Sequence, residues 1–342
     1  YDKVITELNK AGLEVFELAG VEPNPRHTTV NKGAEICKKE NIDVLLAVGG
    51  GSTIDCTKAI AAAAFYDGDG WDLVLGKATV TKALPIVTVL TLSATGSEMD
   101  PGAVISNIET NDKYAIIHPL LQPKVSFLDP TNTYSVSAFQ TACGGADILS
   151  HIFDISYFTN APKMDMIDKV MEAVIKTVVK YTPVAVEEPN NYEARANLMW
   201  ASSWALNGFL STGAMQAASC HMMEHELSAF YDITHGLGLA ILTPRWMEYI
   251  LDETNAKDFK KFGVNVFGVE ANLSEMEGAK QAIVALSDFL FNKLGLQSTL
   301  TELGIDDKNF KVMAEKACAG TVLHGFKVLK PADVEKIYRM CL

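Results

Sequence analysis

The sequence predicts an α/β dinucleotide-binding domain, a Rossmann-like parallel sheet with its first strand missing, followed by an all-helical metal-binding domain. Three observations carry that prediction. Short β-branched runs alternate with helical patterns as far as Asp129-Pro130, the mark of strands joined by crossover helices. From Ser135 onward nearly every apolar pattern has a helical period. Three glycines, Gly49–Gly51, stand between an apolar run and a helix start. The boundary is expected near residue 131, giving domains 1–131 and 132–342.

Taken in order, the first domain opens with a helix, Tyr1–Lys10, whose charges recur throughout, and a strand at Leu13–Leu18. Thr28–Glu40 is helical after the turn residues of Glu22-Pro23-Asn24-Pro25. Asp43–Val48 is a strand whose residues Val44–Val48 form a continuous apolar run, as a buried parallel strand requires. Thr53–Phe65 is an alanine-rich helix, and Ile86–Thr91, Gly102–Ser106 and Val125–Leu128 are further strands. The second domain reads as helices at Ser135–Thr159, Met164–Tyr181, Asn191–Leu210, Gly213–Phe230 and Leu237–Leu251, with shorter ones to Leu342. A nucleotide-binding sheet begins with a strand and its turn, whereas this chain begins with Tyr1 inside a helix. A leading segment is therefore expected to precede it.

Composition narrows the function. With 342 residues and 48% hydrophobic content there is ample material for a core, so disorder is excluded. Lys+Arg 29 against Asp+Glu 42 leaves a net charge of −13, the wrong sign for a nucleic-acid partner. No apolar run approaches the ~20 residues that span a bilayer, and no signal or transit pattern is present. The six cysteines are scattered without metal-binding spacing and read as reduced thiols of a cytoplasmic protein.

Two loops at strand ends invite a nucleotide. In Val48-Gly49-Gly50-Gly51-Ser52-Thr53 the glycines let backbone approach a phosphate, and Ser52 and Thr53 are placed to cap a helix whose N-terminus attracts an anion. A tight turn would use the same glycines, and the segment is neither GxGxxG nor a P-loop. The second loop, Thr91-Leu92-Ser93-Ala94-Thr95-Gly96-Ser97-Glu98, would line the same crevice with hydroxyls, or simply cap a turn.

Four of the seven histidines fall between residues 151 and 235. Asp147 and His151 share one helix face at i, i+4, and His221 and His225 repeat that spacing. His235 opens the next helix. One carboxylate with three or four imidazoles suits a divalent metal, Fe2+ or Zn2+ alike. Asp154, Glu224 and Glu226 read as residues behind the ligands or at the surface, and Phe153, Trp200, Met222 and Phe230 as candidate apolar neighbours.

These segments resemble the iron-containing (group III) alcohol dehydrogenase family, in its butanol dehydrogenase and NADPH-dependent aldehyde reductase branch. The likeness rests on Gly20–Pro25, Leu46–Ser52, Thr91–Glu98, Phe127–Pro130, Asn197–Ala201 and His221–Ala229, and it runs the length of the chain. It implies metal ligation by Asp147, His151, His221 and His235, with His225 beside the substrate as a proton relay. It implies that Gly49, Gly50 and Ser52 hold the pyrophosphate. Thr91 and Thr95 would line the ribose and nicotinamide, and Lys113 would reach the nicotinamide ribose. NADP(H) is implied over NAD(H) by branch alone, as is a homodimer acting on small aldehydes and primary alcohols. Two rivals share these features. A dehydroquinate-synthase-like lyase would need several basic residues in the helical half, where few occur; a non-catalytic metal- and nucleotide-binding protein would show no turnover.

Overall fold

The computed structural model describes residues 1–162, 164–211 and 218–342. After α1 (Asp2–Lys10) and α2 (His27–Glu40), β1 (Leu45–Gly49) runs straight into α3 (Gly51–Ala63), and α4 (Gly70–Val74) follows. β2 (Ile86–Leu90) and β5 (Val125–Phe127) complete a parallel sheet of order β1-β2-β5, with Leu45 opposite Ile86 and Val87 opposite Val125. The shared strand ends matter most. Gly49 pairs with Leu90, so the glycine turn and the hydroxyl loop leave the same sheet edge together.

β3 (Gly102–Asn107) and β4 (Asp112–Ile117) form an antiparallel hairpin of their own. The expected strand Gly102–Ser106 is therefore real but does not belong to the parallel sheet, and its partner β4 went unread. Alternation gives a strand its two faces and says nothing of its partner's direction. The expected strand Leu13–Leu18 joins no ladder among the described residues; Leu13 is exposed, with no neighbouring strand to take its backbone hydrogen bonds. No helix among the described residues is long and apolar enough to cross a membrane.

The helical half comprises α5 (Ala138–His151), α6 (Asp165–Glu187), α7 (Tyr192–Leu206), α8 (Ser219–Tyr231), α9 (His235–Ile250), α10 (Ala256–Phe262), α11 (Glu275–Asp288), α12 (Phe310–Ala317) and α13 (Pro331–Met340). Its core is one continuous apolar cluster that includes Ile148, Leu149, Met223, Leu239 and Trp246. The long helix expected over Ser135–Thr159 starts three residues later because Ser137 caps it, accepting from the Gln140 amide. It changes character at Ile152, where Ile152–Tyr157 winds as a π-helix. The helix expected from Gly213 starts at Ser219; positions 213–217 lie outside the described residues.

One packing detail sets the site. α9 crosses α5 so closely that a Cβ at Gly236 would overlap the Cys143 carbonyl. Backbone cannot yield as a flexible side chain does, so Gly236→Ala must lift the start of α9 away from α5. The expected result is a loss of ~1–3 kcal/mol in denaturant unfolding, together with weaker metal retention, since His235 is the adjacent residue. Wild-type stability in that variant would show that the two helices are free to separate.

Candidate active site

α5 presents Asp147 and His151 one turn apart, α8 presents His221, Glu224 and His225, and α9 begins with His235. Donor atoms of Asp147, His151 and His221 lie within 4.8 Å of one another, and so do those of Glu224, His225 and His235. The two groups are contiguous. The His151 and His221 rings are 4.6 Å apart, His221 and His235 5.7 Å, and His225 and His235 5.8 Å. Asp147 Oδ1 stands 3.5 Å from His151 Nδ1 and 3.7 Å from His235 Nε2, too far for hydrogen bonds. The short α8–α9 turn closes through Asp232, whose φ of +51° is left-handed.

Burial dominates the electrostatics. It pushes the Asp147 carboxyl above its usual range, against the pull of His235 and His221. It holds His151 well below its usual value with help from His221, and it does the same to His225 and His235 with help from the Lys113 ammonium. Glu224 is raised by burial against the pull of Lys113. His151 and His235 are thus held neutral, the state in which an imidazole can bind a divalent cation, whereas the Asp147 carboxyl would give up its proton to such an ion.

The ligand fit has a direct sign. Asp147 Oδ1, His151 Nδ1 and His221 Nε2 are buried and lack hydrogen-bond partners. Orphaned buried polar atoms are costly and rare, and three converging from two helices could be satisfied together by one shared ion. His225 Nδ1 is likewise buried and unpartnered, and His225 lines an open pocket of about 440 Å³ with Val74, Leu75, Tyr114, Ala115 and Met222.

Around the cluster stand Glu224 and Asp154, which the sequence placed behind the ligands or at the surface, and Asn24 and Arg26, to which it gave no role. Glu224, fully buried, faces His235 Nδ1 and also accepts from Ser228 Oγ. Asp154, in the π-helical turn, faces His221. Asn24 donates to Asp232 Oδ1 at 2.9 Å and Arg26 to Asp232 Oδ2 at 2.8 Å, so a loop of the first half grips the turn that leads into His235. No local signal announces a pairing of residues 208 positions apart.

Lys113 lies with this group. Its ammonium donates to Asn24 Oδ1 at 2.9 Å and to Glu224 Oε2 at 3.4 Å, and it is 4% exposed. Of the expected apolar neighbours only Met222 lines the pocket beside His225. Phe153 is buried against Phe262, Trp200 is exposed beside Trp204, and Phe230 lies beneath Lys316.

The expected cofactor residues Gly49, Gly50, Ser52, Thr91 and Thr95 lie on two loops that meet. Thr91 donates its amide to the Gly49 carbonyl at 3.1 Å. A Cβ at Gly50 would touch Leu92, and one at Gly51 would overlap Thr95, so the two loops are pressed together where the glycines lie. α3 is capped by Gly50, with no side-chain hydrogen bond. Ser52 therefore lies within the first turn instead of capping it, and that turn's amides stay open to an anion. Behind the crevice Asp55 accepts from Ser97 Oγ at 2.5 Å and from the Val104 amide at 2.8 Å, tying α3 to both the hydroxyl loop and the hairpin.

Comparison with known proteins gives a consistent result. The family model described as iron-containing alcohol dehydrogenase matches residues 1–130, and that for the C-terminal part of the Fe-containing alcohol dehydrogenase family matches residues 141–342. An NADH-dependent butanol dehydrogenase B of Clostridium acetobutylicum is 49% identical over 341 residues, 99% of this chain and 87% of its own length. An NADPH-dependent aldehyde reductase of Escherichia coli is 36% identical over 92% of this chain and 81% of its own length. The crystal structure of an NADH-dependent butanol dehydrogenase A from Thermotoga maritima superposes with a TM-score of 0.94 at 38% identity, covering 100% of this chain and 87% of that one. Matched along nearly its whole length by both halves of one family's description, the chain belongs to the iron-containing alcohol dehydrogenase family.

Proposed function

We propose that the chain transfers hydride between NAD(P)H and small aldehydes or primary alcohols, with Asp147, His151, His221 and His235 holding one divalent metal. The observation that carries this is the set of orphaned donor atoms on Asp147, His151 and His221, buried beside the His235 ring. Family membership supports the reaction class, an NAD(P)-dependent oxidoreduction of alcohols and aldehydes. The two structural units are read as meeting near residue 131.

When bound, Fe2+ or Zn2+ supplies Lewis acidity toward a carbonyl oxygen, and the nicotinamide supplies the hydride. The protein's own residues do the rest. Gly49, Gly50 and Ser52, with the open α3 amides, hold the pyrophosphate; Thr91 and Thr95 face the ribose and nicotinamide. Lys113 reaches the nicotinamide ribose only by sharing an ammonium already engaged by Asn24 and Glu224. His225, neutral and with Nδ1 unpartnered, is the proton relay: it passes one proton to the product alkoxide and recovers one from solvent. Aldehyde, reduced dinucleotide and a proton thus become alcohol and oxidised dinucleotide.

The sequence branch implied NADP(H), but the relative at 49% identity is named NADH-dependent and the one at 36% NADPH-dependent, which favours NADH. Six buried, unpaired cysteines support a reducing, cytoplasmic setting, and the homodimer follows the family resemblance. Dinucleotide absorbance followed with butanal, after loading with Fe2+ or Zn2+, tests the reading. We expect oxidation that stops when the metal is chelated. Binding of dinucleotide and metal without absorbance loss would instead favour the non-catalytic reading.

A further inference from the structure

The orientation of His221 has a cause outside the ligand set. Asp147, His151 and Asp154 fall at i, i+4 and i+7, a spacing that would line all three on one face of a continuous α-helix. The helix is not continuous: Ile152–Tyr157 is a π-helical turn, a distortion that recurs at functional sites. Asp154 is 2% exposed, yet its oxygens accept from three donors, all on the first turn of α8. These are Ser219 Oγ at 3.1 Å, the His221 amide at 2.9 Å and His221 Nδ1 at 3.1 Å. Its donor atoms are not among those clustered with Asp147, His151 and His221.

We infer that Asp154 is a positioning residue that fixes the His221 ring and its tautomer, presenting the Nε2 lone pair to the metal. A carboxylate oxygen accepts and does not donate, so the hydrogen of a neutral His221 sits on Nδ1 and the lone pair on Nε2. Nε2 is the buried atom of that ring without a partner. The amide bond locks the same carboxylate to the α8 backbone, so ring and helix are held as one unit against the end of α5. A carboxylate behind a ligating imidazole also raises its basicity. The inference rests on the metal reading above.

The test uses the full chain, stripped of metal and titrated with Co2+ against a competing chelator, with the visible ligand-field bands recorded. Asp154→Asn is expected to weaken Co2+ affinity by ~10–100-fold and to shift those bands, with apo-protein unfolding followed in parallel. Unchanged affinity and bands in the variant, while wild type binds one Co2+, would overturn the role of Asp154 alone. Failure of wild type to bind stoichiometric Co2+ would overturn the metal reading and this inference with it. Should the variant not fold, 15N-histidine spectra of the wild type decide: His221 protonated at Nδ1 is expected, and protonation at Nε2 sinks the proposal.

Discussion

His221→Ala and His235→Ala are each expected to lose the metal on dialysis and turnover with it. Each substitution removes one of two imidazoles that meet Asp147 and His151 from the facing helices α8 and α9. The loss cannot be made good locally, because the orphaned Asp147 Oδ1 and His151 Nδ1 would remain buried with fewer partners to share an ion. Lewis-acid stabilisation is worth several kcal/mol, and each ~1.4 kcal/mol is tenfold in rate, so turnover should fall by at least ~10³-fold. Metal content per chain and the initial rate with butanal are the two readouts. A variant that keeps its metal and its rate would show that the ligand set is wrong.

His225→Ala separates the proton relay from the metal. The metal should be retained, since the pairing of Asp147, His151, His221 and His235 is untouched, while the rate falls by ~10²-fold or more, the usual contribution of a positioned acid–base group. Added imidazole should restore part of the loss. The stability of the apo protein carries a second sign. Burial, then Lys113 and His235, hold the His225 pKa well below 6.5, so as pH falls below 6.5 the unfolded chain takes up a proton that the folded chain refuses. Folding stability therefore drops on the acid side, and removing His225 should flatten that slope. An unaltered rate and pH–rate profile would take His225 out of the mechanism.

The site was legible in the sequence to an uneven degree. Asp147–His151 and His221–His225 are visible because a helix brings i and i+4 together whatever surrounds it. The glycine turn is visible because glycine marks backbone that must come close to something. Lys113 illustrates the limit: the family resemblance implied a cofactor contact for it, while its partners Asn24 and Glu224 are 89 and 111 residues away. Asp154 was open in the sequence between a place behind the ligands and one at the surface, and the structure sets it, on a π-helical turn, against His221. The apolar pocket beside His225 was sought among four bulky residues of the helical half, and Val74, Leu75, Tyr114 and Ala115 of the first half supply most of its wall.

By itself the sequence determined the order of the two halves, the strand-turn-helix at Gly49–Gly51 and the i, i+4 pairs Asp147–His151 and His221–His225 within their helices. All of these depend on hydrogen bonding and periodicity between near neighbours. Only the tertiary structure decided that Gly102–Ser106 turns back on Asp112–Ile117, that Leu13–Leu18 finds no ladder among the described residues, and that two helical pairs and His235 close on one point. Those outcomes depend on which distant surfaces bury one another, as where Gly236 lets α9 settle against the Cys143 carbonyl. Such contacts are made between residues far apart in the chain, and no local pattern specifies them.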